Sequence, residues 1–201
     1  MNTSFLLVAT ITVLSPGPGV VMTLTNALRF GLRGTIGGIL GIAFGALFVA
    51  AISATSLGVL LASSVLAFTV LKLLGAAYLI YLGVRLWRSP GFKFSEQPVH
   101  KAGFCKRFIE GMSLQLTNPK AIFFFLSVLP QFIDPATNYP AQFTTLVVTY
   151  SSLVVVIHCL YAVFSSQAKK WLTSERGGRV ISRTSGVTLI LFGAVLATAK
   201  K

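Results

Sequence analysis

The chain has 201 residues, of which 54% are hydrophobic and only 10% charged, and its mean hydropathy is +0.81. A water-soluble domain needs a surface that is roughly 25–35% Lys, Arg, Glu and Asp, so this composition excludes one and indicates an all-α integral membrane protein. Seventeen Lys and Arg against four Asp and Glu give a formal charge of +13; in a soluble protein that would suggest a nucleic-acid partner, but here topology explains it and none is expected.

Apolar runs of about twenty residues are membrane-span candidates. Six are legible, at 5–28, 35–61, 64–87, 108–132, 141–165 and 182–199. Met1 to Ser4 carry no Lys or Arg, so span one lacks the basic leader of a cleavable signal and is expected to be retained. It is interrupted by Ser15-Pro16-Gly17-Pro18-Gly19. Each proline lacks a backbone donor and clashes with the preceding turn, and the glycines offer backbone freedom without a side chain. Span two carries Gly37, Gly41 and Gly45, with Gly34 and Gly38 beside them, a ridge that lets a helix backbone approach closely and is expected to seat the broken first helix. The link from Ala62 to Ser64 is so short that spans two and three must form an antiparallel hairpin. Span three holds Lys72 and ends before a hydrophilic loop at 89–107.

Span four is broken at Asn118-Pro119-Lys120 and continues into Phe123-Phe124-Phe125, a packing or lipid-facing run in which Phe124 or Phe125 could instead gate a pathway. Span five contains His158, and a basic link with a Gly177-Gly178 hinge leads to span six. The chain thus reads as a single membrane domain, 1–201, with a three-helix unit at 1–88 and another at 108–201.

Basic residues fall on one side: Arg29 and Arg33 after span one, six from Arg85 to Arg107 after span three, and five from Lys169 to Arg183 after span five. The positive-inside rule places these links in the cytoplasm and both termini outside, in the periplasm. Three spans per unit is odd, so the second unit enters the membrane inverted. Pro16 and Pro119 are each twelfth in their runs, and paired interruptions in two inverted halves point to a transporter's substrate site. Gly75 to Gly83 in span three and Gly186 to Gly193 in span six add a weak internal match.

Lys72 and Lys120 are the charged residues well inside spans. Lys72 sits where it could reach the interface by snorkelling, whereas Lys120 follows the break near the midplane, where an ionisable residue is a functional-site candidate. Two cations and freed helix N-termini without an acid at that depth favour an anionic group such as a carboxylate. The candidate substrate site is therefore Ser15, Pro16, Gly17, Pro18, Gly19, Lys72, Asn118, Pro119 and Lys120. His158 is the intramembrane group suited to proton relay, with hydrogen-bonded packing as its alternative role. No nucleophile–base pair or metal-ligand spacing is present, so neither catalysis nor a cofactor or metal is expected.

The Ser15-Pro16-Gly17-Pro18-Gly19 break, Gly31-x-x-Gly34 before the glycine-rich span, Lys72-x-x-Gly75-Ala76-Ala77-Tyr78-Leu79-x-x-Leu82-Gly83 with Trp87, and Asn118-Pro119-Lys120 followed by Phe123, Phe124, Pro130, Gln131 and Phe132 together resemble the LysE/RhtB family of bacterial amino-acid exporters. The resemblance covers nearly the whole chain. It implies a multi-pass protein of the bacterial inner membrane, compatible with a homo-oligomer, that exports amino acids or their derivatives using an ion gradient. Some similar members carry an acid in the fifth span where this chain has the apolar stretch Leu153 to Ile157, which favours a neutral substrate. A passive channel or a lipid-handling protein on the same inverted repeat is the alternative.

Overall fold

The computed structural model describes residues 3–63, 65–92, 103–134 and 137–198, and these are almost entirely helical. The helices are α1 (Thr3–Leu14), α2 (Pro18–Ser63), α3 (Val65–Trp87), α4 (Phe104–Leu116), α5 (Pro119–Phe123), α6 (Tyr139–Phe164), α7 (Lys169–Leu172) and α8 (Glu175–Thr198). Stretches Pro18–Ala54, Tyr139–Phe164 and Glu175–Thr198 are long and apolar enough to cross a bilayer. Helix α2 turns sharply at Gly31 (φ 65°, ψ −175°), a conformation essentially confined to glycine. Both interruptions are real: α1 stops at Leu14 and α2 restarts at Pro18, while α4 stops at Leu116 and α5 starts at Pro119. Beyond α5 the chain widens into a π turn at Phe124–Val128 and then tightens into a 3-10 turn at Leu129–Phe132.

The outer faces match hydrocarbon rather than water. Leu7, Ile11 and Leu14 on α1, Phe44, Phe48 and Ile52 on α2, and Val156, Leu160 and Val163 on α6 are each about half exposed, and their three- and four-residue spacing puts each set on one helix face. The core gathers Phe5, Phe124 and Phe125 around Tyr150, whose ring centroid lies 4.6 Å from that of Phe124 and 4.9 Å from that of Phe125. Phe124 and Phe125 are buried at 0% and 2% exposure, so their place is core packing.

Two expectations are corrected. The glycine ridge of α2 seats α4, not chiefly the broken first helix. A Cβ on Gly41 would lie 2.0 Å from the Phe108 carbonyl oxygen, one on Gly37 2.7 Å from that of Phe104, and one on Gly45 2.8 Å from Gln115 Cβ; only Gly38 faces the first helix, through Met22. The partner supplies the complementary small residue, since a Cβ on Gly111 would lie 2.2 Å from the Gly38 oxygen. Nor do Gly177 and Gly178 form a hinge. They lie inside α8, which starts at Glu175, and their bare backbones admit the carbonyls of Trp171 and Phe92. Helices α3 and α8 pair by the same means: a Cβ on either Gly83 or Gly186 would stand 2.6 Å from the other's oxygen. Three of the glycines that read as an internal match, Gly83, Gly186 and Gly193, are thus contact points between the two helices, while Gly75 makes room for Phe123.

Candidate functional site

A helix broken by two prolines leaves carbonyls whose usual amide partners are missing. In an uninterrupted helix, Pro16 would donate to Thr12, Pro18 to Leu14 and Gly19 to Ser15. Donors from the other half of the chain fill these vacancies. Lys120 Nζ donates to the Thr12 carbonyl (2.9 Å), the Ser15 carbonyl (2.9 Å) and Ser15 Oγ (3.1 Å), and the Tyr161 hydroxyl donates to the Leu14 carbonyl (2.6 Å). An ammonium has three N–H bonds, so Lys120 is fully engaged. It is a cation placed against the negative end of α1, and it ties the second break to the first.

The second break satisfies itself. Asn118 caps α5, its side-chain oxygen accepting from the Lys120 amide (3.1 Å) and its Nδ2 donating to Gln115 Oε1 (3.2 Å), with Pro119 in the first turn where no donor is needed. Asn118 thereby aims the Lys120 side chain, which leaves the backbone two residues later, across at α1.

Gly17 and Gly19 contribute room rather than unusual backbone. Neither has positive φ, a state found only at Gly31 and Gly91 among the described residues. A Cβ on Gly17 would lie 3.3 Å from Lys120 Nζ, and one on Gly19 3.3 Å from His158 Cε1. His158 Nδ1 shares a 2.7 Å hydrogen bond with Thr23 Oγ1. Lys120, His158, Asn118, Gln115, Gly19 and Tyr150, with Val13, Val20, Ile42 and Val154, line one small cavity of mixed polarity of about 20 Å³, room for about one water and far below the roughly 300–1,000 Å³ of a small-molecule site. The breaks are held shut over it.

Of the candidate residues, Ser15, Gly17, Gly19, Asn118, Lys120 and His158 converge here, with Pro16, Pro18 and Pro119 shaping the backbone between them. Lys72 lies on α3, and its side chain is outside the described residues. Two residues escaped the sequence reading. Tyr161 follows His158 by three positions, hence sits on the same helix face, a spacing that could have signalled it. Arg107, expected in an exposed basic loop, is 8% exposed; it donates to the Gly34 carbonyl and stacks 3.8 Å above the Phe30 ring, bracing the Gly31 bend. Nothing local in the sequence marks it.

Replacing Tyr161 with Phe keeps the ring and orphans the Leu14 carbonyl. On this outward, lipid-facing surface no water replaces the lost donor, which costs about 1–3 kcal/mol, so Tyr161→Phe is expected to lower the thermal unfolding temperature in detergent, while Tyr139→Phe, at an exposed ring, leaves it unchanged.

The model of the LysE type translocator family matches residues 10–200. Relatives of similar length include the homoserine/homoserine lactone efflux protein of Salmonella typhimurium, 33% identical over 98% of this chain and 96% of its own. A membrane protein of Vibrio cholerae is 32% identical over the same shares, and one of Bacillus subtilis 31% identical over 94% of this chain and 95% of its own. No solved structure matches.

Proposed function

The chain belongs to the LysE type translocator family, and from that premise we propose that it is a secondary exporter of neutral amino acids or their derivatives, working by alternating access around Lys120 and the paired breaks. The observation that carries this reading is the buried Lys120 ammonium, bridging both interrupted helices with no carboxylate partner among the described residues. A zwitterion fits such a site by exchange: its carboxylate takes the lysine, and its ammonium takes the Thr12 and Ser15 carbonyls that the lysine leaves. Net charge in the cavity is then conserved, which a basic or acidic side chain would upset. The relative's printed name, for efflux of homoserine, is consistent with a substrate of this kind.

The six spans form two inverted halves, with both termini periplasmic and the basic links cytoplasmic. Pairings α2 with α4, α1 with α6, and α3 with α8 support that arrangement, because exchanging the halves maps the first two onto each other and the third onto itself. In the shut state Lys120 closes the interface between the halves; substrate exchange releases it, and the halves rock about the breaks. His158, sharing the cavity, carries the coupling proton, and Lys72 is the second cation available to the carboxylate.

Proteoliposomes with equal homoserine on both sides and an imposed proton gradient distinguish this account from a passive pore. The exporter is expected to build a homoserine gradient that collapses when a protonophore is added. Homoserine that equilibrates across the membrane but is never concentrated marks a pore.

A further inference from the structure

A second cavity lies away from the breaks, in a groove between α3 and α8. It has a volume of about 430 Å³ and is lined by Val84, Trp87, Arg88, Val187, Ile190 and Leu191. Its polarity is graded. Arg88 lines it just past the end of α3, and Arg183, about one turn before Val187 on α8, lies beside it, its guanidinium 5.8 Å from the centre of the Trp87 ring. Val187, Ile190 and Leu191 follow one to two turns deeper, so that the apolar floor reaches about 12 Å beyond Arg183 at helical rise.

This rim is built, not a passing loop conformation. The Ser89 and Ser182 hydroxyls share a hydrogen bond and both stand within reach of the Leu86 carbonyl (2.9 and 3.2 Å), so that one donates to the other and the second to Leu86, and the Phe92 amide donates to the Gly178 carbonyl (3.2 Å). The turn carrying Arg88 is thereby pinned to α8. Among the described residues no carboxylate pairs with Arg88 or Arg183, while nearby Arg179 is occupied by Glu175 at 3.8 Å.

We propose that this groove is a binding site for one anionic phospholipid, its phosphate held by Arg88 and Arg183 beside Trp87 and an acyl chain laid along Val84, Val187, Ile190 and Leu191. The order of charge, aromatic ring and apolar wall along the groove follows that of a phospholipid from headgroup to tail. A peptide helix or a second copy of this chain would not require two unpaired arginines at the rim of an otherwise apolar channel. The lipid would add to the contacts that hold α3 to α8 at this end. The site is independent of the transport reading, since none of its residues lines the cavity between the breaks.

Native mass spectrometry of the purified full-length protein with dioleoyl phosphatidylglycerol and dioleoyl phosphatidylcholine tests the proposal. One phosphatidylglycerol per chain is expected to be retained in preference to phosphatidylcholine, and Arg88→Gln and Arg183→Gln should each weaken retention about fivefold. Leu191→Trp, at a position 59% exposed, fills the groove without altering charge and should also displace the lipid, whereas Arg33→Gln outside the groove should change nothing. Equal retention of both lipids, the same loss in Arg33→Gln, retention unaffected by Leu191→Trp, or a dimer that Leu191→Trp splits would each overturn it.

Discussion

Lys120→Met should reduce export per molecule by about ten- to a hundredfold while folded protein stays near its normal level. The loss in transport follows from removing a charge-assisted contact of about 1.5–3 kcal/mol to the substrate carboxylate. Stability is a balance of opposing terms. Taking a charge out of the bilayer favours insertion by about 2.5–3.5 kcal/mol, and orphaning a buried carbonyl costs about 1–3 kcal/mol. Only the Ser15 carbonyl is orphaned outright, because Thr12 retains the Ser15 hydroxyl at 2.8 Å. The terms nearly cancel. Quantitative blotting of membranes alongside homoserine export checks both halves of the expectation. A lysine that merely capped α1 would leave export per molecule intact.

Gly41→Ala is expected to be among the most damaging single substitutions that leave the site's own side chains untouched. The added methyl would lie 2.0 Å from the Phe108 oxygen and 2.9 Å from the Met112 nitrogen, both backbone atoms of α4. No rotamer change relieves that contact, so the helices must separate along the seam that carries α4 to the second break. Overpacking costs about 1–3 kcal/mol where side chains can yield, and occasionally more; a helix displaced as a unit belongs at the upper end. Size-exclusion profiles and unfolding temperatures should show loss of monodisperse protein. Gly103→Ala, where nothing lies within 4 Å, should behave as the unmodified chain.

How much of this was legible in the sequence divides along physical lines. Both breaks could be read directly, because a proline removes its donor wherever the chain goes. Asn118-Pro119 likewise announces a cap followed by a first-turn proline, and the structure has both. What answers the freed carbonyls is a tertiary matter: nothing near Ser15 specifies that Lys120 and Tyr161 supply the donors. The glycine ridge was visible as a ridge, but its partner was not, since small residues at four-residue spacing invite any helix and the matching Gly111 lies seventy residues after Gly41. The roles of Gly17 and Gly19 were similarly hidden. Local reasoning assigns glycine to backbone freedom, whereas here Lys120 and His158 need the space.

The most direct test of the exchange at Lys120 compares export of homoserine with that of homoserine amide, which keeps the ammonium and hydroxyl but has no carboxylate, from proteoliposomes containing either the native protein or Lys120→Met. Native protein is predicted to prefer homoserine at least about tenfold, the worth of one charge-assisted contact, and Lys120→Met to export both slowly and at similar rates, because the group that distinguishes them is gone. Equal slowing of both compounds, with the native preference preserved, would contradict the assignment of Lys120 to the substrate carboxylate.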